Sequence, residues 1–384
     1  MHHAAAPLHV TVVGGGPAAA ELLLALRALA EERVELELVT PDTALPVRAS
    51  STGAAFGQAA MEVYDLADVA AEVGARVRVD RAEAVASRRC RVRLASGAAA
   101  TYDALVIATG ARARIGVAGA STFRDQRDVR LIRRLLADLG GGAVRHVVFA
   151  APAGVAWTVP LYELALLTAA EVMSLDVDVE VTLVTPERRA LEIFGEPASD
   201  LVERLLAERG IRRFPGVATE LRRHGLRLLD GSVRRADRVI AVPRLVGRRL
   251  AGVPGDWDGF IPTDPWGRVL GLEDVFAAGD VRSFPVKQGG LATQQADVIA
   301  HLLAARAGAD VPVAPVRHVL RTRLLGTEEP VYLRVELDGD GRPLPGAAEV
   351  VRDEPPWWPG AKLVGRRLTP WMAIHAAAVV PTGD

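Results

Sequence analysis

The stretch that constrains this chain most is HVTVVGGGPAAAELLLALRAL, His9 to Leu29. Alternating apolar residues lead into three glycines, and an apolar run of helical period follows. The pattern predicts a strand, a tight turn and a helix. Gly14 lets the chain turn sharply, and Gly16 removes the Cβ that would keep a phosphate off the backbone. Ala19 stands where a small residue lets helix and strand pack closely. The helix N-terminus then offers N–H donors and a positive dipole end to an anion. A glycine-rich turn alone is a weak signal. Directly behind a strand and near the N-terminus, it predicts a dinucleotide site; the alternative is a structural turn.

At 384 residues the chain is long enough for two or three domains of ~100–200 residues each. Half of the residues are apolar, so a large core can form. The net charge of −1 gives no reason to expect a nucleic acid partner. Cys90 is the single cysteine, which excludes an intramolecular disulfide, structural or redox-active. Nearly all basic residues are arginine, and the lysines are Lys287 and Lys362. MHHAAAP carries no Lys or Arg, so no signal peptide is expected, and no stretch is long and uncharged enough to span a bilayer. The expected location is the cytoplasm.

A second strand is predicted over Val34 to Thr40. A ribose-binding fold usually ends this strand in Asp or Glu; here Thr40 stands there, with Asp42 two residues on. Pro41 to Gly57 reads as a loop, and Arg48 in it is either a solvated charge or a phosphate or flavin contact. A helical stretch near Tyr64 to Glu72 precedes short strands with turns at Ser87–Arg89 and Ser96–Gly97. Cys90, Val92 and Leu94 alternate with Arg91 and Arg93, which predicts a structural Cys90 on the apolar face of a strand.

YDALVIATGA, Tyr102 to Ala111, predicts a buried strand ending in Thr109–Gly110. VFAAGD, within Gly271 to Ala304, predicts a strand that delivers Asp280 ahead of a helix starting near Gly289–Gly290. Between these, VRHVVFAAPAGVAWTVPLYELAL and VDVEVTLVTPERR repeat strand, turn, helix and strand. This second turn is AAPAGVAW, Ala150 to Trp157; Gly154 is its one glycine, and Pro152 and Trp157 are expected to crowd a pyrophosphate. Arg188 and Arg189 read as solvated charges sooner than as partners of a 2′-phosphate. The tail, Val313 to Asp384, reads as two strands turning at Asp338–Gly341 and then a segment with Trp357, Trp358 and Trp371 among Lys362, Arg366 and Arg367. That mixture suggests an interfacial membrane contact; the alternatives are a helix packed over a cofactor or at a dimer interface.

These segments, in this order, resemble the FAD-dependent pyridine nucleotide-disulfide oxidoreductase superfamily over most of the chain. Within it the chain resembles the sulfide:quinone oxidoreductase and type-II NADH dehydrogenase-like branch, since its second turn is degraded, a C-terminal module follows and a CxxxxC pair is absent. A tighter resemblance is to bacterial FAD-dependent oxidoreductases that carry AxPAGVAW, LYELAL, PRLVG, FPVKQGGLATQQAD and WWPGAKLVGR. The resemblance implies an α/β fold: two Rossmann-like three-layer dinucleotide-binding domains, glutathione-reductase-like, plus a small C-terminal α+β module. Implied boundaries are 1–117 and 258–312 for a discontinuous FAD-binding domain, 118–257 for an NAD(P)-type domain with the degenerate turn, and 313–384 for the module.

FAD is the implied cofactor, its pyrophosphate at Gly14, Gly16, Pro17, Ala18 and Ala19 and beside Thr109 and Gly110. The ribose is implied near Thr40 and the adenine near Ala82, with Arg48 as the loop contact. The ribityl chain falls to Gly279 and Asp280, and the flavin ring to Lys287, Gln288 and Gly289. Lys287 is expected at the redox edge, where a cation stabilises negative charge on the reduced ring. Tight NAD(P)H binding and sulfide oxidation through a cysteine pair are not expected. The implied activity moves electrons from a small-molecule donor through FAD to a quinone or another small acceptor. The alternatives are a non-catalytic flavin-binding scaffold and an NAD(P)H-dependent reductase.

Overall fold

The computed structural model describes residues 6–379 except His224, Asp353, Pro359, Ala376 and Ala377. The opening stretch folds as read. The strand Leu8–Val13 leads through three residues into the helix Pro17–Ala30, and the strand Val34–Thr40 returns beside the first in parallel. Arg76–Val79 extends the sheet beyond Val34–Thr40, and Ala104–Ile107 and Val275–Ala277 extend it on the other side, all parallel. Strands buried on both faces need continuous apolar runs, and ALVI of Ala104–Ile107 is buried throughout. The helices Pro17–Ala30 and Gly289–Arg306 pack together over this sheet. Leu22, Leu23, Leu26, Ile299 and Leu303 are fully buried there, each large side chain contributing roughly 1.5–3 kcal/mol.

A second five-stranded parallel sheet has the same plan. Its order is Ser121–Thr122, Arg238–Ala241, His146–Ala150, Glu180–Thr185 and Arg212–Pro215. In both sheets the first strand of a strand–helix–strand unit lies at the centre, which is the doubly wound arrangement expected from the sequence. A ribbon of Ala111–Arg114 against Arg244–Gly247 joins the two sheets.

The antiparallel strands His318–Leu324, Val331–Leu337 and Glu349–Arg352 form the C-terminal sheet. This sheet does not close over a core of its own. Leu320, Leu333 and Val335 share one apolar cluster with Leu161, Tyr162 and Leu166 of the helix Val159–Ser174. Among the described residues no helix is long and apolar enough to cross a membrane.

Two local readings change. The segment near Tyr64 begins as the strand Glu62–Asp65; the helix is Leu66–Glu72, started by the Asp65 carboxylate accepting the Ala67 N–H at 2.8 Å. Cys90 is not on a strand. It sits at φ 47° in the turn between Ser87–Arg89 and the strand Arg91–Leu94, half-buried, and from there still packs on the apolar cluster that holds Val92 and Leu94.

Candidate functional site

Three segments distant in sequence meet at the carboxyl end of the first sheet. Gly14, at φ +129°, lies so close to Ala108 that a Cβ would stand 2.2 Å from the Ala108 carbonyl oxygen. A Cβ on Gly15 would stand 2.5 Å from the Thr40 hydroxyl. Gly16 differs, because nothing lies within 4 Å of its Cβ position. It is the N-cap of Pro17–Ala30 and offers no side chain to the helix amides, so the first turn faces open space. Gly110, at φ +66°, likewise has nothing within 4 Å of its Cβ position, and the neighbouring Thr109 hydroxyl is buried without a partner among the described residues. From the third segment, Gly279 (φ +81°) brings its backbone against Ala18 and Ala292, whose Cβ atoms lie 3.4 and 3.3 Å from its own Cβ position.

Asp280 follows in the short turn Gly279–Val281. Burial raises its pKa, while Lys287 and Arg48 pull it back. Burial lowers the Lys287 pKa to about 8, with Asp280 and Asp256 opposing. The Lys287 ammonium donates to the Arg282 carbonyl and lies 3.7 Å from the centre of the Phe260 ring. The helix Gly289–Arg306 starts where expected. Its cap is the Gln288 side chain, whose oxygen accepts the Leu291 N–H at 2.9 Å, and Gly289 packs against Leu363.

Thr40 and Ala82 hold positions at the strand ends. The Thr40 hydroxyl is buried and donates to the Asp42 carbonyl at 2.6 Å. Ala82 opens the strand Ala82–Ala86 opposite Leu94. Arg48 is exposed, with its guanidinium 3.9 Å from Asp125.

The second turn is longer and is held by contacts among its own neighbours. Eight residues, 151–158, separate its strand from its helix, against three, 14–16, in the first unit. Pro152 is buried against Gly116, and Trp157 packs edge-on to Phe194 with ring centres 6.2 Å apart. A residue without a signal in the sequence adds to these contacts. Glu187, two residues past the strand Glu180–Thr185, accepts from the Thr158 hydroxyl at 2.5 Å and the Tyr162 hydroxyl at 2.9 Å. Burial raises its pKa. Arg189 pairs with Asp200 and Glu203, and Arg188 stays exposed.

The tail turns inward, which corrects the grouping of its tryptophans and basic residues on one amphipathic face. Lys362 binds the carboxylate of Glu163 at 2.6 and 2.8 Å, and Glu163 also accepts from the Thr52 hydroxyl. Trp371 is buried edge-on to Tyr64, and its indole N–H donates to Glu72. Trp357 packs on Tyr332, leaving Trp358 exposed. Glu21, from the first helix, accepts the N–H groups of Arg367 and Leu368 at 2.9 and 2.8 Å and so caps the short helix Leu368–Ile374.

Two parallel sheets joined by a ribbon, with a glycine turn open at one of them, define a protein of the two-sheet dinucleotide-binding class. The chain belongs to the pyridine nucleotide-disulphide oxidoreductase family, whose pattern matches residues 8–306, and it is an FAD-dependent oxidoreductase. No curated protein matches the chain. Among solved structures it is similar to the sulfide:quinone oxidoreductase of the hyperthermophilic bacterium Aquifex aeolicus (TM-score 0.80, 20% identity, 90% of this chain and 87% of that one). It is also similar to putidaredoxin reductase in its covalent complex with putidaredoxin (TM-score 0.65, 24% identity, 87% and 82%). A third likeness is to NDH2 of Plasmodium falciparum in complex with NADH (TM-score 0.59, 13% identity, 72% and 64%). The residues present fit FAD: a cradle at Gly16 and Gly110 that a Cβ would enter, an unpartnered Thr109 hydroxyl, and uncapped helix amides.

Proposed function

We propose that the protein takes electrons from a small-molecule donor other than NAD(P)H and passes them, through FAD, to a quinone or another small acceptor. The observation that carries the reading is the contrast between the two turns. One is short, with nothing over Gly16; the other is longer, with Pro152 packed on Gly116 and the Thr158 and Tyr162 hydroxyls held by Glu187.

Bound FAD supplies reversible uptake of an electron pair. The pyrophosphate falls to Gly14, Gly16, Pro17, Ala18 and Ala19, with Thr109 and Gly110 beside it. Thr40, Arg48 and Ala82 border the adenosine and phosphates, Gly279 and Asp280 the ribityl chain, and Lys287, Gln288 and Gly289 the ring. Lys287 holds or releases a proton near pH 8, which suits a group placed against a ring whose charge changes. On this reading residues 1–117 with 258–312 bind FAD, 118–257 keep the fold of a nucleotide domain without its site, and 313–384 fasten the tail across both. The cytoplasm is the inferred location; of the tail tryptophans, Trp358 is the one exposed to touch a membrane surface.

The purified protein should be yellow. Under anaerobic stopped-flow, NADH and NADPH should bleach the flavin slowly or not at all, while a screen of small reductants finds the donor. Rapid stoichiometric bleaching by either nicotinamide would overturn the proposed donor class. A flavin that no reductant screened can bleach would favour the scaffold alternative.

A further inference from the structure

Four arginines gather at the mouth of the open turn with little acid to balance them. Arg112 follows Gly110 by two residues on the ribbon strand Ala111–Arg114. The register sets Ala111 against Gly247 and Arg112 against Val246. Arg248 therefore falls opposite Gly110, diagonal to Arg112 on the same face of the ribbon. Arg81 approaches from the other side. Ala84 bridges Ala251 in parallel, and Ala251 donates to the Glu83 carbonyl, so Arg81 and Arg248 stand abreast, each three residues before the bridge. Arg48 completes the group, since its charge acts on both Asp280 and Arg248.

Among the described residues Arg81, Arg112 and Arg248 form no ion pair with a carboxylate, and Arg48 has Asp125 at 3.9 Å. All four residues are exposed; partial desolvation of the Arg248 guanidinium, and then Arg112, Arg48 and Arg81, lower its pKa. Guanidinium groups repel one another in such a cluster unless an anion lies among them. The surfaces beside them ask for the same thing: the cradle at Gly16 and Gly110, the unpartnered Thr109 hydroxyl and the positive end of Pro17–Ala30.

We infer that Arg48, Arg81, Arg112 and Arg248 form a clamp for the diphosphate of the dinucleotide, supplying by charge what the missing ribose acid at Thr40 does not supply by hydrogen bonding. The clamp rests on the FAD reading and adds to it a basis for selection. A diphosphate matches several guanidinium forks, a monophosphate fewer, and a flavin without phosphate none. The protein therefore retains FAD over FMN, and FMN over riboflavin.

The test uses the holoprotein. Release of FAD is followed by the rise in its fluorescence on leaving the protein, across a sodium chloride series, for wild type, Arg81→Gln, Arg248→Gln and the double variant. Each glutamine variant should release FAD about tenfold faster, as for the loss of a charge-assisted hydrogen bond. The salt dependence of release should fall with each charge removed. Arg81→Lys and Arg248→Lys should restore most of the retention, and riboflavin affinity of the stripped protein should not change in any variant. Release at the wild-type rate in both glutamine variants would overturn the clamp, as would equal weakening of FAD and riboflavin, which marks a structural role. Should Arg248→Gln fail to fold by circular dichroism, Arg248→Lys and Arg81→Gln carry the comparison. A wild-type protein without affinity for any flavin overturns the FAD reading itself, a result distinct from a flavin that stays bound but indifferent to these charges.

Discussion

Glu21 makes the tail sensitive to pH. Its carboxylate is fully buried, receives two backbone N–H groups from Arg367 and Leu368, and has no cation bonded to it among the described residues. Burial outweighs those hydrogen bonds and raises its pKa from 4.5 to about 7. A group whose folded pKa is raised holds its proton more tightly in the folded state. Its stabilising contribution is full below pH 4.5 and is lost as pH rises through about 7. The size follows from the gap between the two values, about 3 kcal/mol at ~1.4 kcal/mol per pH unit. Glu21→Gln removes the buried charge and keeps one acceptor oxygen. The second N–H then faces an amide donor, at a cost of about 1 kcal/mol. The variant should therefore be the more stable protein at pH 8, by about 2 kcal/mol, and the less stable at pH 4.5. The assay is hydrogen exchange of residues 363–375, corrected for base catalysis, with thermal melts at each pH. Wild-type tail protection should fall by about two orders of magnitude between pH 4.5 and 8, and that of Glu21→Gln should stay level. Parallel pH curves for the two proteins would refute the reasoning.

Three further perturbations test the site and its supports. Gly14→Ala places a Cβ 2.2 Å from the Ala108 carbonyl at φ +129°, so the variant should purify without flavin, as read by the ratio of visible to ultraviolet absorbance. Lys287→Met should flatten the rise in stability of the flavin-free protein between about pH 8 and 10.5 in urea titration, because that rise comes from the buried lysine shedding its proton. In the holoprotein the same change should remove any break near pH 8 in the reduction potential. Lys362→Met leaves the fully buried Glu163 carboxylate without its cation, and denaturation should register a loss of about 3–5 kcal/mol; Lys362→Met with Glu163→Gln should recover part of it.

What could be read in advance was whatever depends on neighbours close in sequence. The turn at Gly14–Gly16, the strand ending in Thr109–Gly110, and the helix starting at Gly289 each carry their signal within a few residues. Cys90 escaped because its position looks like one more step of an alternating strand, and only the left-handed turn at φ 47° takes it out of register. The capping role of Glu21 was not legible for the opposite reason: its partners are the amides of Arg367 and Leu368, at the far end of the chain. Lys362 and Trp371 look like an interfacial pair by composition, yet Glu163 and Glu72 are placed to receive them by the packing of remote helices. No periodicity encodes such a meeting.

The two strand–helix–strand units make an internal experiment on what a phosphate site requires. Their sheets have the same order and direction, so topology does not distinguish them. The carboxylate after the second strand does not explain the difference either, since both units carry one two residues past that strand, Asp42 and Glu187. The difference is in the distance from strand to helix and in what occupies the first turn of the helix. Three residues, two of them glycine-tight against Ala108 and Thr40, separate the first strand from the Pro17 helix, and neither helix carries a side-chain cap on its amides. Eight residues push the second helix back, and Thr158 and Tyr162 at its start spend their hydroxyls on Glu187. Freeing Glu187 would not restore the site. Glu187→Gln should loosen the helix start and leave NADH affinity no better than in wild type, whereas tight NADH binding by that variant would mean that the carboxylate, and not the helix placement, had closed the second turn.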